Sequence, residues 1–194
     1  MKNKTAHKLP TGYPGRRLWL HLVATDASGA TVLESGGWDD EGRLVDSSGT
    51  SLEPSDDMLP HLDRIEAGDQ VALWESVPAG SDGRPTYVPL DAVYYAKDNR
   101  ITPEGFTSDG AYGTWIRSVG VSGDDSFAAG RDQVRFVVPP ATAHVSVELV
   151  YQSIAPGRLS AMAALPTPAA VRFSQMAASV PATPVIIATA ALSR

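Results

Sequence analysis

The residues best placed to do chemistry stand near the start, where residues 3 to 20 read NKTAHKLPTGYPGRRLWL. An imidazole held in one direction can ligate a transition metal or move a proton near neutral pH. His7 has that opportunity, because Pro10 fixes its own φ and biases Leu9 toward extended geometry, Gly12 admits a turn, and Pro14 restricts Tyr13. Lys8 follows it directly and Arg16-Arg17 close the segment; with Lys2 and Lys4 they make a local basic cluster, which beside a chain end reads as a solvated face rather than a polyanion site.

Elsewhere the chemical residues form no recognisable constellation. His7, His21, His61 and His144 could in principle gather around a metal, but their spacings match no ligand pattern. His21 and His144 fall on strand faces opposite the apolar one and read as partly solvated side chains. Asp39-Asp40-Glu41, Asp56-Asp57 and Asp124-Asp125 lack the spacing of a calcium loop and read as solvated turns, so no metal site is assigned. Trp19, Trp38, Trp74, Trp115, Tyr87, Tyr94 and Tyr95 could make a platform for a sugar; such rings more often fill a core, with Trp38 and Trp115 the expected exposed pair. The sequence has no nucleophile elbow, phosphate-binding loop, zinc-protease motif or dinucleotide fingerprint, and predicts no enzyme.

Composition sets the frame. With 194 residues, 43% of them hydrophobic, the chain can bury a core without metal or disulfide staples. A formal charge of −6 with interspersed signs argues against nucleic acid as a partner. The absence of cysteine removes disulfides, thiol nucleophiles, zinc thiolates and covalently attached c-type haem. No apolar segment follows the basic start, so no secretory signal is expected in these residues, and VIIATAAL is too short to span a bilayer.

The elements that must position these residues are mostly strands. LWLHLVAT from Leu18 alternates, Asp26-Ala27-Ser28-Gly29 turns, and TVLES returns, which predicts a hairpin. RLVD, VALWESV, residues 133–138 and residues 144–151 add further strands, the last two joined as a hairpin through PPATA, with Val145, Val147, Leu149 and Tyr151 inward. YVPLDAVYYAKDNR is compatible with strand or helix. Residues 104–131 read as a long loop carrying one short strand near Trp115 and Ile116. From Pro156 the pattern changes to two short helices broken at Pro166 and Pro168, after which PVIIATA reads as an edge strand or an extended tail. The expected fold is mainly β, an antiparallel immunoglobulin-like or fibronectin-like sandwich over residues 1–155. Residues 156–194 form a short helical C-terminal appendage packing on the sandwich or on a partner.

The opening segment, with DASG and LESG after it, resembles the start of the haem-free C-terminal domain of bacterial multihaem c-type cytochromes, whose members show an N-x-T-G-H-K-x-P-T-G-x-P-x-R-R-x-W-L type of motif. The likeness continues in PHLDRI, DQVALWESV, YAKDNRITPEGF and VELVYQSI, in the family's order, over about residues 3 to 155. It implies a β-sandwich beside covalently bound haems in an exported, periplasmic or extracellular, electron-transfer protein. On that reading the chain holds no covalent cofactor, its partner is a multihaem cytochrome module or subunit, and haem c on that module is the group it meets. His7 is then a candidate axial ligand or neighbour of a partner haem, and Lys8, Arg16 and Arg17 are candidate contacts to haem propionates or to the partner. Two departures stand out: relatives carry C-x-x-C-H sites upstream whereas this chain has no cysteine, and Ala6 replaces the usual glycine. The alternative reading is a stand-alone extracytoplasmic binding module for carbohydrate or protein.

Overall fold

The computed structural model describes residues 1–53, 57–180 and 183–193. In chain order the elements are β1 (Arg17–Thr25), β2 (Thr31–Ser35), β3 (Gly37–Trp38), β4 (Leu44–Val45), β5 (Arg64–Ile65), β6 (Leu73–Trp74), β7 (Ser76–Ala79) and β8 (Tyr94–Asp98). They continue with α1 (Gly113–Ile116), β9 (Arg135–Phe136), β10 (His144–Gln152), α2 (Pro156–Ala163), α3 (Pro168–Ala178) and β11 (Val185–Ser193). The molecule is mainly β, as its alternating apolar segments predict, and its main sheet is antiparallel.

That sheet has the order β11-β10-β1-β2, with β6 also on β1. β1 is its centre. It pairs with β10 along its whole length, from Arg17 opposite Gln152 to Thr25 opposite His144, with β2 at its far end and with β6 at Leu18 and Trp19. Three short ladders complete the strands: β3-β4, β7-β8, and the parallel pair β5-β9.

The tight turns share one chemistry. Asp26, Asp39 and Asp46 each accept backbone N–H bonds from residues two and four positions on, at 2.8 to 3.0 Å, through one carboxylate oxygen. Three residues after each aspartate stands a glycine with φ between +73° and +86°, where an L side chain would be strained. Thus β1 turns into β2 and β3 into β4 by the same Asp-x-x-Gly device.

Both faces of β1 are covered, which strict alternation understates. Leu18 packs with Ile65, Ala72, Trp74 and Ile101 on one face, while Trp19 packs with Leu44, Val71, Leu73 and Val150 on the other. For the same reason β10 departs from expectation: Val150 and Gln152 are buried on the face assigned to solvent, and Val145 and Val147 are half-buried. The expected hairpin between residues 133–138 and 144–151 is absent. β9 instead pairs in parallel with β5, so that Val134 and Phe136 cover the Leu18 cluster, and Pro139-Pro140 lead the chain back to the sheet.

Trp115 and Ile116 lie in the helical turn α1 rather than in a strand. No strand among the described residues pairs with them, and local bonds, Trp115 N–H to the Tyr112 carbonyl and Arg117 N–H to the Gly113 carbonyl, satisfy the backbone instead. The two Pro-bounded helices form as expected, α3 starting at Pro168 with the Thr167 hydroxyl capping the Ala170 N–H. β11 is an edge strand, paired with β10 from Val185 opposite Tyr151 to Ser193 opposite His144. No helix among the described residues is long and apolar enough to cross a membrane.

Candidate functional site

The loop carrying His7 is built on a buried asparagine. Asn3 donates through Nδ2 to the carbonyls of His7 and Ile101, both at 2.8 Å, and accepts through Oδ1 from the Thr5 N–H and hydroxyl. Its own N–H reaches the Gly130 carbonyl, and Leu9 and Ile101 exchange two backbone bonds. The loop is therefore fixed to the body at both ends, and His7 is presented on its exposed side.

The imidazole is oriented as well. His7 Nδ1 lies 2.8 Å from the Lys8 carbonyl oxygen, which can only accept, so Nδ1 carries a proton. In the neutral ring Nε2 then keeps its lone pair, and no described residue bonds it. A backbone carbonyl fixing one ring nitrogen is the arrangement that prepares the other to ligate a metal.

Lys8, next in sequence, points inward. Its Nζ lies 2.6 Å from Asp98 Oδ2, and the same carboxylate takes a two-pronged grip from Arg100, Nε to Oδ1 at 2.8 Å and Nη2 to Oδ2 at 2.7 Å. Arg100 Nη1 also donates to the carbonyls of Thr11 and Gly12. All three side chains are buried, and burial pulls the Lys8 ammonium below its ordinary value against the opposing attraction of Asp98. Arg17 is likewise engaged inside, with Glu53, Gln152 and the Gly42 carbonyl. Of the three cations proposed to meet haem propionates or a partner, the structure leaves Arg16 half-exposed, over the Tyr13 ring, while Lys8 and Arg17 are buried in ion pairs with Asp98 and Glu53.

Among the described residues the four histidines share no partner. His21 bridges Glu34 and Glu148 across the sheet and meets the ring of Trp38 edge-on; His144 contacts Ser193. His61 sits in a buried cluster with Asp124 and Asp132, their candidate ligand atoms within 4.8 Å of one another. Hydrogen bonds to their neighbours hold these side chains in place. Asn99 Nδ2 donates to His61 Nδ1, because Asn99 Oδ1 is taken by the Glu75 N–H, so the ring proton lies on Nε2 and is given to Asp124 at 2.9 Å. Asp132 is held at 2.6 Å by the indole N–H of Trp74. Through these bonds the cluster ties the loop at 124–132 to β6 and to Asn99. The acidic pairs at 39–41 and 124–125 contribute turns; Asp56 of the third pair lies outside the described residues.

The aromatic residues divide. Trp19 and Trp74 are buried, and Trp38 packs edge-on against Trp19 rather than facing solvent. Trp115 is 83% exposed and lines a groove of about 730 Å³ with Tyr13, Tyr87, Tyr94 and Tyr95. Arg158 of α2 enters that groove between the rings of Tyr13 and Tyr87, 5.8 and 5.9 Å from their centres. Burial, with the nearby Glu75 carboxylate, pushes the Tyr87 hydroxyl up to about 12, so this ring is a neutral phenol. Sequence reasoning missed Asp98, Arg100 and Arg158. Asp98 and Arg100 pair with each other two positions apart, but their further partners Lys8, Thr11 and Gly12 lie 88 to 90 residues away. Tyr13 and Tyr87 are likewise remote from Arg158, so no local pattern marks the three.

No family model matches the sequence, and no curated protein matches it. Among solved structures, the crystal structure of a penta-haem cytochrome c552 from Thermochromatium tepidum is similar, with a TM-score of 0.52 and 20% identity over 97% of this chain. The chain spans 33% of the length of that protein, and the likeness is one of fold.

Proposed function

We propose that this chain is a non-catalytic accessory domain of an exported multihaem c-type cytochrome system, carrying no haem itself and docking through its His7 loop against a haem-bearing module. The observation that carries the reading is the His7 side chain: exposed, with Nδ1 committed to the Lys8 carbonyl and Nε2 open to a partner. The donor set fits an axial position, since a neutral, backbone-oriented imidazole is what such ligation requires. Haem, when present on the partner, supplies the electron transfer. This chain's residues hold the ligand in place: Asn3 and Thr5 fix the loop, and the Lys8-Asp98-Arg100 cluster anchors it to β8. The resemblance in the opening segment and the fold shared with a penta-haem cytochrome support the same reading. The lack of cysteine agrees with it, since no C-x-x-C-H attachment can occur in these residues.

The test uses the whole chain and a ferric c-type haem peptide with one open axial position. Wild type and His144→Ala should shift the Soret band to the low-spin position, and His7→Ala should not. Identical spectra for all three proteins would remove the ligand role.

A further inference from the structure

The aromatic groove holds a second site, independent of His7. Arg158 is 7% exposed, its Nε is buried, and no described residue accepts a hydrogen bond from its guanidinium or pairs with it. A buried cation ordinarily has a counter-charge, because taking it out of water is costly. The acids whose charge reaches the adjoining Tyr87 do not provide one: Glu53 is bound to Arg17 and Glu75 to Lys97.

The surroundings are made to hold this arginine there. Gly15 and Gly157 leave room that a Cβ would fill, at 2.9 Å from Arg158 Nε and 2.7 Å from the Tyr87 ring respectively. Tyr13 and Tyr87 flank the guanidinium, and Tyr94, Tyr95 and the exposed Trp115 line the same groove. The charged side chains lining it are Arg158 and Arg117, with no carboxylate among the described lining residues. Its volume of about 730 Å³ falls in the range of small-molecule pockets.

The geometry points to a binding site for a small aromatic carboxylic acid, its carboxylate on Arg158 and its ring stacked among Tyr94, Tyr95 and Trp115. A fork of N–H donors suits a carboxylate, and flat electron-rich walls suit a flat apolar body. Arg117, exposed and lining the same groove, adds to the positive field that draws an anion in.

Titration of the whole chain with 2-naphthoate and with the uncharged 2-naphthalenemethanol, followed by calorimetry, tests this. The acid should bind at least about tenfold more tightly than the alcohol, the worth of one charge-assisted hydrogen bond. Arg158→Gln should abolish that preference while leaving the weak binding of the alcohol. Trp115→Ala, at an exposed side chain that the fold does not need, should weaken both probes and serves if Arg158→Gln does not fold. Equal affinity for the two probes in wild type, retention of the preference by Arg158→Gln, or unchanged affinity in Trp115→Ala would each overturn the assignment.

Discussion

Replacing Asp98 by Asn should damage the protein far more than replacing Lys8 by Met, although the two residues share one ion pair. Asp98 is the single carboxylate facing two cations, with Lys8 at 2.6 Å and Arg100 at 2.7 Å on the same oxygen. Asp98→Asn leaves both cations buried and adjacent without a counter-charge, and removing one partner from a buried pair costs about 3–5 kcal/mol. Lys8→Met leaves Asp98 in the two-pronged grip of Arg100, one charge against one, and removes an ammonium that burial already disfavours. Its cost should stay within about 1 kcal/mol, since the penalty for breaking a buried pair comes from the charge left unpaired and here Asp98 keeps Arg100. For a chain of this length the first loss corresponds to a fall in Tm of about 6–20 °C and the second to less than about 4 °C. Urea melts followed by far-UV circular dichroism and by tryptophan fluorescence measure both differences. If Lys8→Met proves as damaging as Asp98→Asn, or if Asp98→Asn costs under about 1 kcal/mol, the account of the cluster as one anion serving two cations is wrong.

Two further outcomes follow from other parts of the molecule. Hydrogen bonds from Ser28 and Ser48 lower the carboxyls of Asp26 and Asp46, and at Asp39 bonds from Arg43 and Glu41 outweigh the opposing effect of burial. A folded value below the unfolded one gives stability that is present above the ordinary aspartate range near pH 4 and lost as pH falls through the folded values. The triple Asn variant keeps the turn acceptors without the charge, so its urea midpoint should vary less between pH 5 and pH 2.5 than that of wild type; parallel curves would count against the turns. At the sheet edge, Ile187 lies at the register shift of β11, 51% exposed in a strand that is exposed throughout. Such an edge invites pairing with another chain, so sedimentation should show concentration-dependent association that Ile187→Lys reduces; an unchanged profile would show that the edge is not the cause.

What the sequence disclosed follows a physical division. The hairpin from β1 to β2 and the Pro-bounded helices were legible because local pattern and turn chemistry specify them, Asp26 and Gly29 in one case and Thr167 and Pro168 in the other. Burial of both sheet faces was not, since Trp19 and Val150 depend on distant covers such as Leu44 and Leu73. At the candidate site, the flanking prolines predict a stiffened segment, but not the Asn3 side chain and the Lys8 carbonyl that hold the loop and orient the His7 ring. The fate of its neighbours was not legible either: a basic run near a chain end reads as solvated, and nothing near Lys8 or Arg17 reveals Asp98 or Glu53 as the acids that draw them inside. Arg158 shows the converse, a cation in an alanine-rich helix whose sequence gives no hint that it is buried.

The placement of β1 between strands from opposite ends of the chain has a consequence for biosynthesis. Arg17 meets Gln152 across 135 positions, and the amino terminus itself donates to the Asp132 carbonyl. A nascent polypeptide that has not yet delivered β10 leaves the central strand without its principal neighbour, and long-range closure of this kind is slow. Until that segment leaves the ribosome, Leu18, Trp19 and Leu22 have nothing to cover them, and such exposed apolar surface is what makes incomplete chains prone to aggregate.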